Sequence, residues 1–337
     1  AWRRFVIGVG RFICAKFTAS GWVTHWLVNG FIGRAVLFGH VIKTSRSQTV
    51  SVILFENLGF KIDQAWLLSE VNGTFASGKI HGIVGQNGAG KSTLLRCLTK
   101  QWQATTGEVY FLGQNVQNQN TQKQSIQNPE ILKQNLKHLS YSELALQRAV
   151  LSQHQALAFS FTVEQLVRLG FESQQCPWHS SQLIAVLNAT DIQHLQHRDV
   201  LSLSGGEQKR AQLARVLAQI WPEDSTQLNA FAGKWLFLDE WSEALDLKHQ
   251  VQIGALLRQW ANQGLGVVMV SHDLNQIMQL TDSCLLLKAG RRFSQGETAL
   301  VMSAENLSNV LDIPVSVSQN QAGLTMVMPS THDDKLE

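Results

Sequence analysis

The stretch that most restricts the fold of this chain is Gly85-Gln86-Asn87-Gly88-Ala89-Gly90-Lys91-Ser92-Thr93. It follows a short apolar run, 79–84, and opens an amphipathic segment, 92–98. G-x-x-x-x-G-K-[ST] between a strand and a helix presupposes α/β layering and a phosphate ligand. Glycine lets the backbone curl, so that successive N–H groups converge on phosphate oxygens. The helix N-terminus adds partial positive charge at the same place. Lys91 then brings a full charge to β- and γ-phosphates, Ser92 a hydroxyl for Mg²⁺, and Thr93 a contact on the α-phosphate side. The plainer alternative, a tight turn capping a helix, is disfavoured by the strand–loop–helix placement.

A second acidic element strengthens this. Trp235-Leu236-Phe237-Leu238 is an apolar strand that ends in Asp239 and Glu240. An aspartate there can hold Mg²⁺ through water, and the next glutamate can polarise an attacking water. Taken alone, such a strand entering a solvated turn is commonplace; the phosphate loop gives it meaning.

Between and after these segments, short apolar strands alternate with helical spacing. Strands are expected at 50–60, 79–84, 108–112, 149–152, 235–238, 266–270 and 284–287. Helices are expected at 92–98, 162–169, 181–188, 206–220, 247–260 and 274–280. Such alternation implies a mostly parallel sheet covered on both faces. Residues 113–137 are rich in Gln and Asn and read as a polar surface insertion, with a helical reading near the end.

The charge is uneven. Residues 1–48 hold seven basic groups (Arg3, Arg4, Arg11, Lys16, Arg34, Lys43, Arg46) and no acidic one. The chain has 28 basic and 25 acidic groups in all, so the remainder is slightly acidic and the net charge is only +3. That balance does not argue for a nucleic-acid partner. The segment begins on Ala1, carries Trp2, Trp22 and Trp26, and has no uncharged stretch of about 18 apolar residues. It is expected to be an extension, residues 1–49, outside the fold and the chemistry; a membrane-contacting segment is the alternative. Cys14, Cys97, Cys176 and Cys284 are too scattered for a metal set and suit a reducing, cytoplasmic setting.

Leu203-Ser204-Gly205-Gly206-Glu207-Gln208, 35 residues before Asp239, resembles the LSGGQ-type signature of the ABC ATPases, with Glu in fifth place. Further marks are similar and in the family's order. Gln153 resembles the glutamine that touches Mg²⁺ and senses a membrane partner, although alone it would read as a surface residue. His272, after Val267-Val268-Met269-Val270-Ser271, resembles the histidine on the γ-phosphate. Asp246 in Ser242-Glu243-Ala244-Leu245-Asp246 resembles the aspartate that couples two sites. The resemblance covers about residues 52–300. It implies a P-loop ABC-type ATPase domain, with a mostly parallel sheet core, an antiparallel β subdomain and a helical signature subdomain at about 154–225. The domain is placed at 50–300, with a tail at 301–337.

The resemblance also implies ATP and Mg²⁺ as ligands. Gly85, Gln86, Asn87, Gly88, Ala89, Gly90, Lys91, Ser92 and Thr93 would hold the nucleotide, as would Ser204, Gly205, Gly206 and Glu207 from the opposite subunit. Ser92, Gln153 and Asp239 would serve the metal. Glu240, His272, Gln153 and Asp246 would act in catalysis. Implied partners are a second copy around an ATP sandwich, two membrane permease subunits and, indirectly, a periplasmic substrate-binding protein; the chain itself would lie at the cytoplasmic face of a bacterial inner membrane. The runs Ala211–Pro222 and Ala244–Gln250, Phe161-Thr162-Val163-Glu164, and Ile313-Pro314-Val315 resemble the haemin importers, within the group that imports haem, ferric siderophores and cobalamin.

Three departures stand out. Trp241 takes the place of the family's proline, where its bulk is expected to disturb a dimer interface. Ile62 falls where many relatives stack an aromatic on adenine; Phe60 and Trp66 are near but out of step. The insertion at 113–137 is long for the family. Competing readings are a soluble ABC protein acting on DNA or ribosomes, and a degenerate copy that binds ATP without turning it over. The first lacks its usual second domain or coiled coil; the second sits badly with Lys91, Asp239, Glu240 and His272 all present.

Overall fold

The computed structural model describes residues 2–6, 12–18, 21–28, 31–34, 51–113, 132–153, 159–174, 178–320 and 325–330. Cys176 and most of the Gln/Asn-rich insertion lie outside them, as do 154–158. The chain divides into two compact units, Ala1–Ser47 and Gln48–Glu337. In the first, β1 (Trp2–Val6), β2 (Phe12–Thr18), β3 (Gly21–Val28) and β4 (Phe31–Arg34) pair antiparallel in chain order.

The second unit opens with β5 (Val52–Ile62) and β6 (Ala65–Ala76), then β7 (Ile80–Val84) and helix α1 (Lys91–Leu98). Next come β8 (Thr106–Gly113), β9 (Leu132–Asn135), α2 (Tyr141–Gln147) and β10 (Arg148–Leu151). The helical subdomain holds α3 (Val163–Phe171), α4 (Ser180–Ala189) and the long α5 (Gly205–Ile220). The chain returns through β11 (Trp235–Asp239), α6 (Leu247–Asn262), β12 (Gly266–Val270), α7 (Leu274–Leu280), β13 (Ser283–Lys288) and β14 (Arg291–Glu297). It ends with α8 (Thr298–Val301), α9 (Ala304–Leu311) and the hairpin β15 (Val315–Gln319) and β16 (Thr325–Pro329).

The central sheet runs β10-β11-β12-β7-β13-β14, parallel except for β14. β11 and β12 are buried along their whole length, as strands covered on both faces must be. Alternate residues point to opposite sides. Leu236, Leu238, Val267 and Met269 join the layer beneath α3, α5 and α6. Trp235, Phe237, Val268 and Val270 join the layer shared with α1 and the antiparallel sheet β6-β5-β8-β9.

Two expectations change. The end of the insertion is not helical: Leu132–Asn135 is an edge strand paired to β8. Trp241 does not stand at a surface. It is 1 % exposed and packs into the layer beneath the helices, with its indole N–H unpaired.

Candidate functional site

The carboxyl ends of four neighbouring parallel strands converge on one edge, where α/β sheets bind ligands. β7 delivers the phosphate loop, β11 delivers Asp239 and Glu240, β12 delivers Ser271 and His272, and β10 delivers Gln153. The loop depends on backbone that only glycine adopts easily. Gly90 has φ 97°, and a Cβ there would stand 2.7 Å from the Leu67 carbonyl. Lys91 is buried, and its Nζ donates to the carbonyls of Gly85 and Gln86, both at 2.9 Å. Burial lowers its pKa, while Glu240 and Asp239 work in the opposite direction.

Asp239 is 1 % exposed. Burial raises its pKa, and the Ser92 hydroxyl, donating to Oδ1 at 3.2 Å, opposes this. A serine oxygen beside a buried carboxylate is the hard donor pair that suits Mg²⁺, an ion that draws its other ligands from water and phosphate. Glu240 has a left-handed backbone, φ 51°, pinned where its N–H donates to Val270 O at 3.0 Å. Its carboxylate lies between two other expected residues: Gln153 Nε2 donates to Oε2, and His272 Nε2 pairs with Oε1. The structure thus takes Gln153 out of its Gln-rich surroundings and sets it on the glutamate. A cleft of about 500 Å³ runs beside these groups, lined by Gly85, Gln86, Asn87, Ser271, His272 and Leu311 among others.

The signature stands apart from this edge, at the start of α5. Ser204 is the N-cap: Glu207 N–H donates to its hydroxyl at 3.4 Å, and its own N–H donates to Glu207 Oε2 at 2.8 Å. Glu in fifth place therefore closes a capping box. Backbone and hydroxyl hydrogen bonds from Ser204 hold that carboxyl below its usual range. The signature meets the loop that follows the acidic strand, where a Cβ on Gly206 would stand 2.9 Å from the Ala244 carbonyl. Asp246 caps α6, accepting from His249 N–H at 2.9 Å.

Sequence reasoning missed Lys209. Burial lowers its pKa, and it lies in the field of Glu243, Asp239 and Glu240. Its sequence signal was slight, a lysine two residues after Glu207 in the first turns of α5. At the β5–β6 hairpin, Phe60 is covered by Trp102, with rings 4.9 Å apart. Ile62 and Trp66 are about half exposed, and Lys61 Nζ lies 5.9 Å over the Trp66 ring.

Residues 68–221 match the family model described as ABC transporter. The chain is 34 % identical over 281 residues to a Hemin import ATP-binding protein HmuV of Rhodopseudomonas palustris, covering 83 % of this chain and 95 % of the relative. It is 32 % identical over 282 residues to the protein of that name from Escherichia coli O157:H7, covering 83 % and 100 %. Among solved structures, a chain from a metal-chelate type ABC transporter in an inward-facing conformation superposes with TM-score 0.60 at 24 % identity, covering 84 % of this chain and 98 % of that one. A dimeric ATP-binding cassette in a post-hydrolysis state with ADP and Pi gives 0.57 at 20 % identity, covering 73 % and 98 %. Motif order, sheet edge and relatives agree: the chain belongs to the ABC transporter family of ATP-binding proteins.

Proposed function

We propose that this chain is the ATP-hydrolysing subunit of a bacterial haemin importer, acting as a homodimer on the cytoplasmic face of the inner membrane. The observation that carries the ATPase reading is Glu240, held between Gln153 and His272 beside the Ser92–Asp239 pair. Glycine N–H groups and Lys91 bind the β- and γ-phosphates. Ser92 and Asp239, with Gln153, would hold Mg²⁺, which would neutralise phosphate charge. Glu240 takes the proton of the attacking water, and His272 contacts the γ-phosphate. Ser204, Gly205 and Gly206 of a second copy close the nucleotide from the other side. Trp66 has the exposed ring at the hairpin and is the residue we place against adenine.

Haemin as cargo rests on the names of the relatives at 34 % and 32 % identity. Ferric siderophore or cobalamin is the runner-up. Two permease subunits would dock on the helical subdomain, with a periplasmic binding protein acting indirectly. We place that docking on residues 154–178, which hold Phe159, Phe161 and Trp178. Phe161 packs against the core and Trp178 stacks on Phe171 at 5.3 Å, which leaves Phe159, 73 % exposed, as the outward aromatic. Residues 154–158 and 175–177 of that segment lie outside the described structure.

Glu240→Gln tests the mechanism. The amide fits the same space but is a poor base, so turnover should fall at least about 100-fold while ATP binding persists. ATP then stays between two copies, and size-exclusion chromatography with ATP and Mg²⁺ should show a dimer. Wild-type turnover in the variant, or a monomer at saturating ATP, overturns the reading.

A further inference from the structure

The loop from Glu240 to Asp246 is tied to the helical subdomain by a side chain not among the expected site residues, His249 in the first turn of α6. His249 is 13 % exposed. Its Nδ1 lies 2.8 Å from Asp246 Oδ1, the oxygen that also accepts from its backbone N–H. On the far side of the ring, Nε2 lies 3.2 Å from Asp191 Oδ2. Asp191 follows α4 in a left-handed conformation, φ 52°. Its carbonyl accepts from Arg210 Nη1 at 2.5 Å, and its carboxylate is 3.7 Å from the same nitrogen. Arg210 belongs to the signature helix and is buried. Lys248 reaches Asp191 at 3.9 Å from the exposed side.

A continuous chain therefore runs Asp246–His249–Asp191–Arg210, from the loop after the catalytic glutamate to the helix that the signature opens. A second contact runs parallel to it, where Gly206 meets the Ala244 carbonyl. A histidine that merely decorated a helix start would leave one ring nitrogen to water. Here carboxylates face both, and hydrogen bonding to His249 is the foremost cause holding each carboxyl below its usual range.

We propose that His249 is a positioning residue, fixing the 240–246 loop to the signature helix so that the two elements one chain offers its partner across the nucleotide move together. The proposal rests on the ATP-sandwich reading above. In the full chain, His249→Ala should leave ATP affinity, measured at chain concentrations too low for pairing, within about twofold of wild type. In the Glu240→Gln background it should weaken ATP-driven dimerisation about tenfold, the scale of coupling between residues in one network. With Glu240 intact, kcat should fall by a similar factor without a matching rise in KM. Asp191→Asn, at a half-exposed position, should reproduce this with an unchanged melting temperature, and His249→Gln should restore part of it. The double variant His249→Ala, Asp191→Asn should be no worse than His249→Ala alone. Undiminished dimerisation and kcat in both His249→Ala and Asp191→Asn overturn the proposal and leave the sandwich standing. Additive losses in the double variant also overturn it. A Glu240→Gln parent that stays monomeric brings down the sandwich reading, and this proposal with it.

Discussion

At the scale of the residue, two buried titratable groups carry opposite meanings. Lys91 is the full positive side-chain charge of the phosphate loop, so Lys91→Ala should abolish ATP binding at millimolar concentration. Equilibrium binding of a fluorescent ATP analogue checks this, and unchanged affinity would remove the loop from the mechanism. His81 has no role in the chemistry but sets a pH limit on the fold. It is 2 % exposed, pairs with Ser283 Oγ at 2.7 Å, and burial lowers its pKa from 6.5 to about 4. Below pH 6.5 the unfolded chain takes up a proton that the folded chain refuses. Stability from this group is therefore full above 6.5 and lost as pH falls towards 4, about 3 kcal/mol in all. Denaturant titrations from pH 7 to 4 should show that loss, and His81→Gln should flatten it. Trp241 shows the limit of reading one position by analogy. Its place in the motif order suggested an interface, whereas its size and apolar body sent it into the core.

At the scale of the element, the end of α9 and strand β16 act as a brace. Gln86, inside the phosphate loop, donates from Nε2 to Leu311 O at 2.6 Å and to Asp312 Oδ2 at 3.1 Å. Asn275, one residue into α7 and close behind His272, grips β16 like a short strand: Val327 N–H donates to its Oδ1 at 2.7 Å, and its Nδ2 donates to Val327 O at 3.3 Å. Asn275→Ala should cost about 1–3 kcal/mol by leaving those backbone groups unpaired. It should also weaken ATP binding a few-fold, as one side of the cleft loosens. Chemical denaturation and nucleotide titration on the same preparation read both. How legible such elements were follows from how local their signals are. The parallel strands and the helices between them were readable because each is a short apolar run beside a turn. Strand β6 was missed because Ser69, Asn72 and Gly73 dilute its pattern, and only pairing with β5 makes it extended. Strand β9 was missed because sheet pairing overrides a Lys-Gln-Asn composition. Helix α2 carried a readable sign, the Ser140–Glu143 capping box, that went unused. The motif residues were legible one by one, but the contacts of Gln153 and His249 were not, since both depend on partners more than fifty residues away.

At the scale of the whole molecule, the proposed completion of the site by a second copy would make activity depend on concentration. The specific hydrolysis rate of the isolated chain should rise with protein concentration and then level off, where a self-sufficient site would give a constant value; a dilution series of phosphate release decides this. Lys91 adds something about speed. Its ammonium donates to two carbonyls of its own loop, Gly85 and Gln86, so the side chain that meets phosphate also ties the loop's backbone together. A loop held by its own side chain needs little ordering when nucleotide binds. Association should run at the pace of diffusion and orientation, leaving the slow, selective step to the meeting of two chains.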